Sequence, residues 1–280
     1  INSLSTIPSL PTAAVEAVRL LNNPEVSISK LTKTIEYDPA LTSNILRMAN
    51  SSYFGAPRQI SSLKQAIVRL GTSNVFRLVV ASAISPMVSK SVKGYDLPAG
   101  ELWNHSIAVA ICADYLGKAL KIDFPGYIFT AGLLHDIGKV VLGNFSNINT
   151  EEILKIAMSR NASFDEAEML VLGIDHAEIG ALLLESWNLP KTISEIVRWH
   201  HYPEYYKGDQ IAIALVHVAN NLILKVGMGV GKEGLKYRIS DKMLSVLNLT
   251  KDITEKVLID TMDDLKELTS KVASDEDGGI

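Results

Sequence analysis

GLLHDIGKVVL, residues 132–142, sets a histidine and an aspartate side by side in an apolar run. Leu133 and Leu134 precede the pair, and Ile137, Val140, Val141 and Leu142 follow it. An ionised carboxylate in such surroundings is costly unless something pairs with it, and a lone buried carboxylate usually neutralises instead. Whatever fold the chain adopts must bring a partner to Asp136.

The surrounding sequence has the period of helices. TAAVEAVRLL, ISKLTKTIEY, LTSNILRMAN and SNVFRLVVASAI all place apolar residues at three- and four-residue steps. Asp38 followed by Pro39 reads as an N-cap and a proline at the first helical position. Ser163 with Glu166 makes a capping box for FDEAEMLVL, which Gly173 can close, and Pro190 opens KTISEIVRWHH. No run of strict alternation is bounded by hairpin turns, so the chain reads as all-α, and no internal repeat stands out. The character changes near residues 90–98, where SKSVKGYDLP is polar and holds Gly94 and Pro98. The expected division is an N-terminal helical subdomain (1–90), a helical core with the histidines (91–226), and a C-terminal helical extension (227–280) whose tail, SDEDGGI, is frayed.

The 280 residues suffice for two modest domains or one large one, and 47% apolar content provides a core. A formal charge of −4 argues against nucleic acid as the main partner, which would need a basic stripe. Arg47, Arg58, Lys64, Arg69 and Arg77 are scattered and read as a solvated face. The single cysteine, Cys112 in IAVAICADYL, excludes an internal disulfide, suits a reducing cytoplasm and reads as a small core residue. No segment reaches the roughly 18 apolar residues of a membrane span, and LVVASAISPMV is broken by Pro86. With no signal peptide visible, the expectation is a cytoplasmic protein without a membrane partner. The missing initiator methionine suggests a fragment or a trimmed chain.

No histidine occurs before His105; the six lie in WNHSIAVAI (His105), LLHDIGK (His135), DHAEIGALLLESW (His176), VRWHHYPE (His200 and His201) and ALVHVANNL (His217). One histidine on an apolar face is more often a hydrogen-bonded core residue than a ligand, and His217 is read so. For the other five, beside an aspartate needing a counter-charge, a shared first-row transition metal answers both needs. If His135 and Asp136 are neighbours on one helix they point about 100° apart, and an ion must lie between their directions. Lys139, one turn after His135, faces either a phosphate or solvent. Glu101 and Asp175 could accept from imidazole N–H groups, though both read more readily as surface charges. Trp103, Trp187 and Trp199 read as core. GMGVGKEG (227–234) lacks the spacing of a phosphate loop and reads as a helix terminator and linker.

The order His105, His135–Asp136, His176, His200–His201 resembles the HD superfamily of metal-dependent phosphohydrolases. IPSLPTAAVEAVRLL, DPALTSNILRMANSSYFG and AIVRLG resemble more specifically the HDOD family, the HD-related output domain of bacterial signalling. The resemblance runs from about Ile7 to Leu224 and implies an HD-like helical bundle packed against an N-terminal helical subdomain. Carried over, it makes His105, His135, Asp136 and a later aspartate the ligands of one ion, with Asp136, as a candidate catalytic residue together with Lys139, bridging to a second ion on His176, His200 and His201. In VHVANNL the later aspartate's place falls to Asn220, a weaker ligand without charge. The implied cofactor is one or two divalent transition ions (Fe, Mn, Zn or Ni). HHYPEYYKG lacks the Gly-Tyr-Pro loop and the glutamate after the paired histidines of the HD-GYP branch, which speaks against cyclic dinucleotide hydrolysis.

Three functions remain open. The first is a signalling module with a metal-binding, catalytically reduced site, whose partners are signalling proteins or an adjoining domain. The second is an active hydrolase of phosphodiesters or nucleotides, taking a small phosphorylated ligand through a metal-activated water. The third, a nucleic-acid-binding regulator, is opposed by the charge.

Overall fold

Helices begin where the sequence supplies a cap. In the computed structural model, which describes residues 8–23, 25–55, 58–122, 126–145, 150–229 and 239–273, the Asp38 carboxylate accepts from the Leu41 amide at 3.0 Å and Pro39 takes the first turn. Ser163 and Glu166 each accept from the other's backbone amide, and Gly173 ends that helix at φ +75°. Among the described residues the elements are all helical, apart from an isolated bridge between Val92 and Leu97.

Helices α1 (Thr12–Leu21), α2 (Ile28–Glu36) and α3 (Pro39–Ala49) lead through a 3-10 turn at Ser52–Phe54 into α4 (Leu63–Val88). The first three pack on α4 and bury Leu31, Ile35, Ile45 and Leu78 completely. Contrary to the sequence reading, α4 runs through Pro86 and is long and apolar enough to cross a membrane, yet half of its most apolar window is buried inside the protein. Gly71 also divides it, at φ +77° and ψ 167°, values no helix tolerates.

The second half winds around α5 (Glu101–Ala119), whose run Ile107–Cys112 is fully buried. Such a helix, apolar on every side, has to be the centre of a bundle. Around it come α6 (Tyr127–Leu134), α7 (Ile137–Phe145), α8 (Thr150–Ser159), α9 (Phe164–Leu172), α10 (His176–Ser186) and α11 (Lys191–Trp199). A 3-10 turn at Pro203–Tyr205 precedes α12 (Ile211–Lys225), α13 (Asp241–Leu247) and α14 (Lys251–Ala273). Both α6 and α12 lie against α5, and α7 packs on α10. Cys112 is buried in this core.

The polar stretch near 90–98 is itself packed: Val92, Tyr95 and Leu97 are buried, and a 3-10 turn at Lys93–Tyr95 packs on α7. One further expectation changes. Arg77 is not part of a solvated face. It is 12% exposed, with Nη2 donating to Asp114 Oδ1 at 2.9 Å, Nη1 to the Tyr53 hydroxyl at 3.1 Å and Nε to the Gly126 carbonyl at 3.0 Å. From the C-terminal side, α14 lies along α5 and reaches the first segment, where Ser52 donates through its amide to Glu267 at 3.0 Å and through its hydroxyl to Asp264 at 2.7 Å. One core cluster therefore includes residues from all three expected segments. The tail 274–280 and most of GMGVGKEG, beyond Gly229, lie outside the described residues.

Candidate metal centre

His135 and Asp136 are not neighbours on one helix. They form the corner between α6, which ends at Leu134, and α7, which begins at Ile137. At this end His135 Nδ1 donates to the Gly132 carbonyl at 2.7 Å, so the ring takes a carbonyl that helix termination leaves open. The same device recurs at the end of α11, which stops at Trp199 instead of running through the histidine pair: His200 Nδ1 donates to the Val197 carbonyl at 2.6 Å. His176 opens α10, capped by Asp175, and His105 projects from the buried α5.

These elements bring all five expected imidazoles to Asp136, which is 2% exposed. On one side, His105 Nε2 and His135 Nε2 lie 3.6 Å and 3.3 Å from Asp136 Oδ2. On the other, His176 Nε2 is 3.3 Å and His200 Nε2 4.0 Å from Oδ1, and His201 Nε2 is 2.8 Å from His176 Nε2. Two groups result, His105–His135–Asp136 and Asp136–His176–His200–His201, each with its ligand atoms within 4.8 Å of one another and Asp136 common to both.

The hydrogen bonds fix the tautomers. His105 Nδ1 faces the Met228 carbonyl at 3.2 Å, His135 and His200 donate to carbonyls as described, and His176 Nδ1 faces Glu168 Oε2 at 2.6 Å. With Nδ1 protonated in the neutral His105, His135 and His200 rings, their Nε2 lone pairs point at Asp136 and at one another. His105 and His135 then stand lone pair to lone pair at 3.3 Å. Among the described residues Asp136 Oδ1 and His200 Nε2 are buried with no hydrogen-bond partner. Adjacent ligands of an ion bound at about 2.1 Å lie roughly 3.0–3.4 Å apart; the three separations of 3.3 Å match this, while those of 2.8, 3.6 and 4.0 Å lie just outside it. The donor set of imidazoles and one carboxylate suits a divalent transition ion.

Burial alone would raise the Asp136 pKa, but His135 and Lys139 hold it well below the carboxylate range. Lys139 is 3% exposed with Nζ 2.9 Å from Asp136 Oδ2, which excludes the reading that it faces solvent. Part of the counter-charge that Asp136 requires is thus supplied by the chain itself, on the Oδ2 side. Burial pushes the His105 pKa down to about 3, and burial together with neighbouring imidazoles holds His200 and His201 well below the usual value. Burial works against protonating His176 too, yet Glu168 and Asp136 outweigh it and raise its pKa.

Glu168 is the residue that sequence reading missed. It is fully buried on α9, accepts from His176 through both Nδ1 and the backbone amide, and accepts from the Tyr95 hydroxyl at 2.5 Å. The acceptors considered instead stand elsewhere: Asp175 caps α10 by accepting from the Glu178 amide, and Glu101 is exposed. A signal was available, since Phe164, Glu168 and Val171 share the inward face of a helix, where a glutamate needs a reason. Asn220 is 3% exposed on α12, which packs on α5, and its Oδ1 has no hydrogen-bond partner among the described residues. His217 is a satisfied core histidine as read, with Nδ1 facing the His200 carbonyl at 2.7 Å and Nε2 accepting from the Ser240 amide at 2.9 Å. Trp103 and Trp187 are buried, and Trp199 is partly so.

Residues 7–203 match the HDOD domain. The chain belongs to the HDOD family. An uncharacterized protein of Treponema pallidum is 30% identical over 214 residues, 73% of this chain; the chain spans only 40% of that relative's length. A candidate phosphohydrolase from Shewanella amazonensis superposes with a TM-score of 0.74 at 26% identity, covering 95% of each chain. An HDOD domain protein of unknown function from Geobacter sulfurreducens gives 0.70 at 24% identity, covering 98% of this chain and 91% of its own. A candidate signal transduction protein from Marinobacter aquaeolei gives 0.70 at 22% identity over 94% of this chain and 58% of its own. These last two similarities establish the shared fold.

Proposed function

We propose that this HDOD chain is a cytoplasmic signalling module whose five imidazoles and Asp136 hold one or two divalent transition ions, in a site with reduced catalysis. The observation that carries the metal is the set of tautomers: His105 and His135 turn Nε2 toward Asp136 Oδ2, and His200 turns Nε2 toward Oδ1, which has no hydrogen-bond partner among the described residues. Reduced catalysis rests on Asn220, an uncharged amide where the HD pattern implies a carboxylate. When bound, such an ion supplies Lewis acidity and a water of lowered pKa. The chain's own residues prepare the site: Lys139 keeps Asp136 ionised, Glu168 fixes the His176 tautomer, and the carbonyls of Gly132 and Val197 fix His135 and His200. The length of the Treponema relative leaves ample room for an adjoining domain as the signalling partner.

A second reading, an active phosphohydrolase, is supported by the retained five-histidine geometry and by similarity to the Shewanella candidate phosphohydrolase. Elemental analysis of untagged protein, followed by a panel of phosphodiesters and nucleotides including cyclic di-GMP, separates the readings. Stoichiometric metal without turnover supports the signalling module. Turnover abolished by Asp136→Asn establishes the hydrolase, and protein that stays metal-free after expression with Fe, Mn and Zn refutes both.

A further inference from the structure

Beyond the metal ligands, between the start of α9 and the turn after the histidine pair, lies a cavity of about 230 Å³ lined by Asp165, Glu166, His201, Tyr202, Glu204 and Tyr205, among others. We infer that this cavity binds an organic cation, a guanidinium or primary ammonium group. Asp165 is 2% exposed and its carboxylate interacts with the Tyr202 hydroxyl; among the described residues its Oδ2 has no hydrogen-bond partner, nor has the buried Glu204 Oε2. A buried carboxylate oxygen without a donor is costly, and a ligand bringing N–H groups would recover that cost. Among the described residues no lysine or arginine lines the cavity to supply them.

Three features select the class of ligand. Asp165 and Glu204 belong to neither group of convergent metal ligands, so they do not close on one metal ion with His201. At roughly 30 Å³ per water molecule the cavity has room for several waters, hence for a planar guanidinium and part of its stem. Tyr202 and Tyr205 present rings 6.0 Å apart at 52°, a setting in which a cation gains from the aromatic faces. Three carboxylates in the lining oppose a phosphate. An adjoining cavity of about 510 Å³ shares Asp165, Glu166 and Tyr202 and adds Met169 and Leu170, which are 45% and 54% exposed. That neighbour would receive an alkyl stem or the apolar residue next to a basic one in a peptide.

The test is an NMR titration of the full chain, metal-stripped and metal-loaded, with the tyrosine rings and methionine and leucine methyls labelled. Argininamide should give saturable shifts at Tyr202 and Tyr205, and its neutral isostere citrullinamide none. Asp165→Asn and Glu204→Gln, each checked for an unaltered thermal transition, should weaken argininamide roughly tenfold or more. Tighter binding of acetyl-Leu-Arg-Leu-amide with shifts at Met169 and Leu170 would assign the cation to a protein segment; equal binding would assign it to a free small molecule. Lys236 and Arg238, shortly before Ile239 in the lining, lie outside the described residues. Binding that appears only after Lys236→Ala or Arg238→Ala would overturn the inference. So would equal binding of citrullinamide, no saturable shift at millimolar argininamide, or inorganic phosphate binding there and tightening with Asp165→Asn.

Discussion

Gly138 lies so close beneath His176 that a Cβ built on it would stand 1.9 Å from the His176 carbonyl oxygen and 2.8 Å from the Gly180 amide nitrogen. Both obstacles are backbone, so neither can turn aside. The contact is where α7 meets α10, and it sets His176 against Asp136. Gly138→Ala must push α10 outward, at a cost of about 3 kcal/mol or more in urea denaturation. Metal titration should show loss at the His176–His200–His201 side, with the His105–His135 pair the less affected. Unchanged stability would mean that α7 and α10 are not packed this closely.

Glu168→Gln should weaken metal binding by roughly ten- to hundredfold, because the ring it orients loses a charged acceptor. Tyr95→Phe, which removes only the hydroxyl that donates to Glu168, should have a smaller effect in the same direction. Circular dichroism should show that both variants keep their helices. Metal affinity equal to the parent's in Glu168→Gln would remove Glu168 from the site.

Much of this architecture could be read from the sequence because its signals are local. The Asp38–Pro39 start, the Ser163–Glu166 box and the Gly173 stop each act within one helical turn, and each occurs as expected. The five histidines were legible as residue types, repeated beside an aspartate with a charge to settle. The features that escaped reading depend on contacts distant in sequence. Arg77 is buried because Asp114, 37 positions on, meets it. The corner at His135–Asp136 was hidden because the preceding and following runs have one helical pattern, and only the bond from His135 Nδ1 to Gly132 marks the end of α6. Glu168 looked like any helix glutamate until Tyr95 and His176 closed over it.

Asp114 predicts acid sensitivity. Burial would raise its pKa, but Arg77 and Lys118 outweigh burial and hold it below the usual value. A depressed folded-state pKa stabilises fully above the unfolded value, about 3.9, and that contribution fades as pH falls through the folded value. Asp114→Asn should therefore destabilise by about 3 kcal/mol near neutral pH, leaving Arg77 with an uncompensated charge. The gap between variant and parent should narrow below about pH 4, where the parent's carboxyl also becomes neutral. Urea denaturation of both proteins across this range checks the sign, and a gap that widens on acidification would contradict the assignment.

Asn220→Asp tests the side of the site where this chain departs from the HD pattern. Asn220 is buried on α12 with its Oδ1 unpartnered among the described residues, and α12 packs on the helix that carries His105. Asparagine and aspartate are nearly isosteric, so the substitution changes charge with little change of shape. If Asn220 faces the centre, a second carboxylate beside Asp136 should raise affinity for the more weakly held ion, because two divalent ions bring four positive charges to a site with one negative ligand. Any phosphodiesterase activity should rise with it. Without metal the same charge is a liability: a buried, unpaired carboxylate should make the stripped variant less stable than the stripped parent, or raise its own pKa until it is neutral. The expected signature is thus a crossing, with the variant weaker when stripped and stronger when loaded, since an ion that binds only the native state stabilises it in proportion to its affinity. Thermal unfolding with chelator and with excess Mn or Zn measures both arms. Equal stoichiometry, equal affinity and no crossing would place Asn220 away from the metals.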